Sequence, residues 1–188
     1  MPPKIKVTKN EIINTALSLV RKNGAESLNA RNIAAALNCS TQPIFSNYQS
    51  MDELRADVNL AAYEKYLGYL KQESESGKYP VYKAYGMAYV RFASEEKELF
   101  KLLFMSDRTN ADTSPSPDFT ASVKIIMQAN GISEEKATLL HLESWSFVHG
   151  IAVMLATSFL DLSWELISDM LSDVYQGLRL RHISEENK

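Results

Sequence analysis

Residues 29–48 read NARNIAAALNCSTQPIFSNY. Ile33, Ala34 and Leu37 recur at helical spacing after Asn29, and Ile44, Phe45 and Tyr48 do so after a short polar break. The stretch therefore reads as a short helix, a tight turn and a second short helix. Asn38 and Cys39 end the first helix. Ser40 is placed to cap the second, and Pro43 falls at its third position, where a missing N–H has no helical partner. What separates a helix-turn-helix from an ordinary three-helix corner is a second helix held at a steep angle, its first residues free to meet base edges. Thr41 and Gln42 stand at that position, and a Gln amide can bond adenine N6 and N7 in a bidentate manner. The pattern alone fits both a DNA-reading motif and a plain corner.

Upstream, Thr8-Lys9-Asn10-Glu11 fits a capping box. The helix that follows is expected to bury Ile13, Ala16, Leu17 and Val20. It ends with Arg21 and Lys22 in its last turn and Gly24 beyond, as the helix dipole and a left-handed cap favour. Downstream, helical periodicity continues with no sustained alternation at period two. A fourth helix starts after Ser50 and runs to about Glu73, roughly 35 Å at 1.5 Å per residue. SESGKY at 74–79 breaks it. Further helices are expected over 80–93, over 95–105 behind a Ser94 cap, over 118–130 up to Gly131, from Ser133 to about 160, and from Ser163 to about 180. Residues 106–117 (SDRTNADTSPSP) read as a mobile loop and the tail HISEENK as frayed. No internal repeat is present. The expected fold class is all-α, with three helices that fit a helix-turn-helix over 1–50 and a helical body over 51–188.

With 45% of its 188 residues hydrophobic and a net charge of −3, the chain is too apolar and too weakly charged to be wholly disordered. The single cysteine, Cys39, cannot close an internal disulfide, which points to a reducing compartment. The longest apolar run, 150–160, is about half of a bilayer-spanning helix. The basic start lacks the apolar region of a signal peptide. A soluble, cytoplasmic protein that does not engage a membrane is expected.

The charge is uneven. Residues 1–50 carry six bases against two acids, a balance of +4, and residues 51–188 carry fourteen against twenty-one, a balance of −7. A basic end on an acidic body suits a protein that touches a polyanion with one end. Lys4, Lys6, Lys9 and Arg31 are the residues expected to face phosphate. Enzyme constellations do not assemble. Cys39 has no nearby histidine in sequence, and His141, His149 and His182 lack metal-ligand spacing. Neither a phosphate-binding glycine loop nor G-x-S-x-G occurs. No catalytic role, metal or cofactor is expected.

Residues 8–54 resemble the N-terminal DNA-binding domain of TetR-type transcriptional regulators. The resemblance is carried by IINTALSLVRKNGAESLNARNIAAALNCSTQPIFSNYQSMDEL, in which Asn23-Gly24 is followed by Leu28, Arg31, Ile33-Ala34, Ser40, Ile44-Phe45, Tyr48 and Leu54. Trp145-Ser-Phe-Val-His149-Gly150 is similar to the W-x-x-x-H-G signature of one TetR subgroup, and ELFKLLF at 98–104 to that subgroup's sixth helix. The resemblance implies an all-helical homodimer whose first three helices bind DNA, the rest holding an effector pocket and a four-helix dimer interface. By position, Arg31, Thr41, Gln42, Pro43, Asn47 and Tyr48 fall where the family touches DNA. Phe45, Asn47 and Met51 depart from a usual phosphate-contacting Tyr, a frequent His and a backbone-contacting Lys, so the electrostatic share of affinity is expected to be smaller. Backbone N–H groups at the start of the fourth helix remain available to a phosphate.

The remaining helices carry many large side chains, which fit either a core or the lining of a small-molecule cavity. Tyr85, Tyr89, Phe104, Trp145 and His149 are the candidate cavity residues, with tyrosine hydroxyls and His149 as its polar groups. His149 beside Gly150 suggests a close helix approach. The apolar faces of the eighth helix (Ile151, Met154, Leu155, Phe159) and the ninth (Leu166, Met170, Leu171) fit either a four-helix interface across a twofold axis or packing within the chain. The expected function is a ligand-responsive, sequence-specific transcriptional regulator: a homodimeric repressor, released from a pseudo-palindromic double-stranded operator by a small-molecule effector. The alternative is a ligand-binding or interaction module of the same fold that has lost DNA binding.

Overall fold

Short hydroxyl side chains start most of the helices. Thr8 accepts from the Glu11 N–H at 3.2 Å while Glu11 Oε2 accepts from the Thr8 N–H at 2.8 Å, the capping box expected at the head of α1 (Lys9–Asn23). Hydroxyls of Ser50, Ser116, Ser133 and Ser163 do the same for α4 (Met51–Glu75), α7 (Pro117–Asn130), α8 (Glu134–Ala156) and α9 (Trp164–Ser184). The computed structural model describes residues 7–107 and 116–184. Among these the regular elements are nine α-helices and one 3-10 turn, with no strand. The remaining helices are α2 (Ala30–Ala36), α3 (Gln42–Asn47), α5 (Val81–Glu95) and α6 (Lys97–Phe104).

Two expected caps are displaced. α3 starts behind Thr41 rather than Ser40, without a side-chain cap, and Pro43 sits at its second position. Ser94 lies inside α5, which runs on to Glu95, and α6 starts behind Glu96. Helix ends differ too. α2 and α8 close with the same paired bonds: Cys39 N–H to Ala34 O (3.0 Å) with Asn38 N–H to Ala35 O (3.1 Å), and Phe159 N–H to Met154 O (2.9 Å) with Ser158 N–H to Leu155 O (3.0 Å). Each needs a residue at positive φ, supplied by Asn38 (52°) and Ser158 (57°). α8 therefore stops at Ala156, short of the expected 160. Gly24 has φ 79° but ψ 174°, so it leads the chain into the 3-10 turn Ala25–Ser27 instead of forming the left-handed cap expected of it. α9 outruns its expected end because His182 is buried and bonds Glu143 Oε2 at 2.7 Å. The rest of the tail, most of the 106–117 loop, and Lys4 and Lys6 lie outside the described residues.

The chain divides into two compact units, Met1–Leu67 with Glu96–Ser106, and Gly68–Glu95 with Asp107–Lys188. In the first, α1 buries Ala16 and Val20 as expected, with Ile12 beside them, while Ile13 and Leu17 are only half-buried. Ile33, Ile44, Leu54, Val58, Leu99 and Phe100 are buried in the same unit. Arg21 grips the buried carboxylate of Glu96 with two bonds, Nε to Oε2 and Nη2 to Oε1, both 2.7 Å. Lys65 Nζ lies 4.0 Å from the same carboxylate.

In the second unit α5, α7 and α9 pack around α8. One core joins Met87 and Val90 to Ile151, Leu155, Ile167 and Leu171, and another joins Val123 and Ile126 to Ile132, Ala137 and Leu140. Each such Val, Leu, Ile or Met side chain contributes roughly 1.5–3 kcal/mol when fully buried. Ile151, Leu155 and Leu171 are thus internal rather than interface residues, and Met154 and Met170 pack against the same core. Phe159 (75% exposed) and Leu166 (47%) do face outward. The close helix approach expected at Gly150 is found at Gly86 instead. A Cβ there would stand 2.9 Å from Leu171 Cδ2, whereas Gly150 has nothing within 4 Å. α8 is long and apolar enough to cross a bilayer, with a mean hydropathy of 1.3 over its best window. Yet His141 and Glu143 fasten it to α5 and α9 through buried or half-buried polar bonds, as in a core helix.

Candidate functional site

The α2–α3 pair is built from local signals. Asn29 caps α2 by accepting from Asn32 N–H at 2.9 Å, Asn38 takes the left-handed position at its end, and Pro43 pre-sets the first turn of α3. Burial of Ile33, Ala34, Ile44 and Tyr48 fixes which faces remain outside. On α3 the outward residues are Gln42, Phe45 and Ser46, with Thr41, Pro43 and Asn47 half-buried beside them. Arg31 is exposed on α2.

The other candidate DNA-contacting residues are placed differently. Tyr48 is 2% exposed, and its hydroxyl is buried without a hydrogen bond among the described residues. Burial, then the nearby Asp57 carboxylate, push that hydroxyl up to about 12, so it stays protonated. Tyr48 therefore acts from within the core, holding α3, and its side chain is not on the surface that Gln42 occupies. Lys9 covers the Tyr48 ring at 4.5 Å and lies 3.5 Å from Glu53 and 4.0 Å from Asp57, so it is held by this unit's own carboxylates. Asn47 donates through Nδ2 to Val7 O (3.1 Å) and Pro43 O (2.8 Å), tying the residues ahead of α1 to α3. At the head of α4, Asp52 and Glu53 occupy the first turn and Ser50 Oγ already accepts one N–H. A phosphate there would meet two carboxylates.

In the second unit the cavity candidates fall into a pattern that sequence reading missed. Tyr89 and His149 share a hydrogen bond of 2.8 Å, and Trp145 stacks on the His149 ring at 5.0 Å and 21°. Two helical turns away on the same pair of helices, Tyr82 and His141 share one of 2.9 Å. Phe119 of α7 meets the His141 ring edge-on at 4.7 Å. Between the pairs lie Tyr85, half-buried, and Ser144, whose buried hydroxyl makes no hydrogen bond among the described residues. Burial pushes both tyrosines up, the His141 ring down to about 4, and His149 down as well, so all four groups are neutral near pH 7. The signal for this was the repeat of Tyr at 82 and 89 against His at 141 and 149, seven and eight residues apart. Phe104 does not join them. It lies in the N-terminal unit, edge-on to Tyr66 at 5.3 Å.

A cleft of about 520 Å³, including the solvent at its mouth, opens beside Tyr79, Met87 and Trp164. None of the candidate cavity residues lines it. Its charges neutralise one another, Arg91 bonding Glu95 at 2.8 Å and lying 3.5 Å from Glu73. Among the described residues no group of His, Cys, Asp or Glu could hold a metal ion.

Residues 82–173 match the sequence model of a family described as "Tetracyclin repressor-like, C-terminal domain". Solved structures share the all-α fold over nearly the whole chain. A protein of unknown function from Rhodococcus sp. RHA1 is 20% identical with a TM-score of 0.74, over 95% of this chain and 100% of that one. A TetR-like transcriptional regulator from the same organism is 14% identical with a TM-score of 0.69, over 94% and 96%. A TetR-family member from Streptomyces coelicolor A3 is 14% identical with a TM-score of 0.64, over 88% and 96%. No curated protein matches the sequence.

Proposed function

We propose that the chain is a sequence-specific, DNA-binding transcriptional regulator of the TetR type, a cytoplasmic homodimeric repressor released by a small-molecule effector. The observation that carries this reading is the α2–α3 pair, with Gln42 at the outer face of a second helix whose inner face is locked by Ile44 and Tyr48. The match of residues 82–173 to the tetracyclin repressor-like C-terminal model supports it, as does the likeness in fold to a structure described as a TetR-like transcriptional regulator and to one described as a member of the TetR family. In this reading Thr41, Gln42 and Pro43 meet base edges and Lys4, Lys6 and Arg31 serve phosphates, Lys9 and Asn47 joining them only by leaving the partners they hold within the unit, while Tyr48 holds the reading helix from behind. The body belongs to the W-x-x-x-H-G subgroup, and the effector binds among Tyr85, Tyr89, Trp145 and His149.

The dimer forms through α8 and α9. Leu139, Leu142, Leu166 and Leu180 are exposed there, and Gly150 and Gly177 have open space where a Cβ would be. Two copies would set two reading helices one turn of DNA apart, about 34–36 Å. α4 belongs to both units, Met51–Leu67 to the first and Gly68–Glu75 to the second, and is the lever by which effector and DNA oppose each other through a reciprocal coupling free energy. Saturating effector that leaves operator affinity unchanged would refute the lever.

The test is fluorescence anisotropy on DNA from upstream of the protein's own gene, beside random duplex, at two salt concentrations. Salt-sensitive binding that prefers the upstream DNA is expected. Gln42→Ala should then relax base preference at one position by about 1–3 kcal/mol, whereas Lys6→Ala should weaken all sequences alike and reduce the salt slope by about 1. No binding at either salt would favour the ligand-binding module. The acidic first turn of α4 and the absence of any cation in α3 are the observations on that side.

A further inference from the structure

Bonds already made on α3 decide which of its side chains are left for a base edge. Ser46 Oγ donates to the Gln42 carbonyl at 2.9 Å, and Asn47 Nδ2 donates to Val7 O and Pro43 O. Ile44 and Tyr48 are buried. Gln42 and Phe45 remain as the exposed side chains, one turn apart on the outer face with Pro43 half-buried beside them, and Phe45 is 51% exposed. A single exposed apolar side chain is ordinary on a protein surface. This one stands beside the residue assigned to base reading, on a helix without a cation. Its ring has neither donor nor acceptor, so it can bond neither a phosphate nor the polar edge of a base. The apolar group that a major groove displays is the thymine C5-methyl.

We propose that Phe45 reads a thymine through its C5-methyl group. Side chains three apart on a helix have Cβ atoms about 5–6 Å apart, and DNA rises about 3.4 Å per base pair. The thymine therefore lies one or two base pairs from the base pair read by Gln42. The assignment rests on the DNA-binding reading above and adds to it the base that the apolar residue selects. It also gives a reason for a ring without a hydroxyl at this position: a hydroxyl would compete for phosphate and loosen the hold on the methyl.

The full-length protein is used to enrich duplexes from a random-sequence library, and the affinity of the enriched duplex is measured by anisotropy. Each thymine is then replaced singly by deoxyuridine, which removes only the methyl group. One position per half-site is expected to lose about fourfold in affinity, the worth of one buried methylene-sized group. Substitution in both half-sites should lose about fifteenfold. In Phe45→Ala the sensitivity to deoxyuridine at that position should vanish while other thymines behave as before. Because the deoxyuridine series is first read on the unaltered protein, it does not depend on how well the variant folds. Indifference to every deoxyuridine, or a loss that persists undiminished in Phe45→Ala, would overturn the assignment while leaving DNA binding intact. If no duplex is enriched over random sequence, the DNA-binding reading itself falls, and this assignment with it.

Discussion

In the N-terminal unit a buried polar group, Glu96, is gripped by a cation, Arg21 meeting both of its oxygens at 2.7 Å from 75 residues away. The C-terminal unit instead buries hydroxyls and imidazoles, Tyr82 on His141 and Tyr89 on His149, and burial keeps those rings uncharged. The difference concerns what each arrangement tolerates. A buried carboxylate costs several kcal/mol unless its partner stays in place, so the Arg21–Glu96 pair resists rearrangement. Neutral pairs can exchange one hydrogen bond for another at little net cost, because a ligand's donor or acceptor replaces the one that leaves. Rigid charge suits the unit proposed to present a reading helix at a fixed angle. Exchangeable neutral bonds suit the unit proposed to admit a small molecule.

Removing one side of the ion pair should break that contrast most severely. Arg21→Ala leaves Glu96 buried with only Lys65, 4.0 Å away, to answer it. A loss of roughly 3 kcal/mol is expected, at the low end for a buried pair because Arg21 is itself half exposed. That corresponds to a fall of about 6–12 °C in Tm for a chain of this size. Adding Glu96→Leu should recover most of it, since the cost lies in the orphaned charge. A single variant within about 0.5 kcal/mol of the parent, in the range of ordinary surface changes, would show that the pair does not hold the unit.

His141 sharpens the other side of the comparison. Burial lowers its pKa to about 4, beneath the ordinary value near 6.5. Above pH 6.5 the ring is neutral folded or unfolded, and it adds no pH dependence. Below it the unfolded chain takes up a proton that the folded state refuses, so stability falls as the pH drops from 6.5 towards 4, at up to about 1.4 kcal/mol per unit. By pH 4.5 the loss should be about 2 kcal/mol, after allowance for residual solvent contact. His141→Gln should remove that part of the slope in urea unfolding at pH 7.5 and 4.5. Tyr82→Phe, which deletes the shared hydrogen bond, should cost about 1 kcal/mol at either pH. Parallel pH losses in the parent and His141→Gln would assign the acid sensitivity to carboxylates instead.

Much of the fold was legible because helix signals are local. Thr8 with Glu11, Asn29, Gly131 and Ser133 all act within four residues of where they stand, and the structure uses each as read. Ser40 and Ser94 misled for the same reason. A serine can cap a helix or lie within one, and which occurs is settled by the packing of the neighbouring turn. Of the candidate site, the outward position of Gln42 followed from the apolar spacing of Ile44 and Tyr48. The Tyr–His pairs did not follow, because their partners are 59 and 60 residues apart. Nor did the burial of Tyr48 beneath Lys9, which depends on α4 supplying Glu53 and Asp57 to hold the lysine.

The glycines give the smallest and most discriminating test. Gly86, Gly150 and Gly177 all lie inside helices, where glycine costs about 1 kcal/mol relative to alanine, so each asks for a reason. Gly86 has one within its own chain: a Cβ would stand 2.9 Å from Leu171 Cδ2 in a tightly packed core. Gly86→Ala should therefore gain little or lose about 1 kcal/mol, as overpacking offsets the better helix propensity. Gly150 and Gly177, like Gly68 in α4, have nothing within 4 Å, so no contact among the described residues asks for a glycine there. In the isolated chain at low concentration, Gly150→Ala and Gly177→Ala should each stabilise by about 0.5–1 kcal/mol in thermal unfolding. If a second copy lays its helices across α8 and α9, the same methyl groups will hold the two backbones apart. Sedimentation equilibrium should then record weaker self-association in the very variants whose monomer is more stable. Opposite signs in the two measurements would mark the glycines as the crossing point of the dimer, and stabilisation with unchanged association would remove them from it.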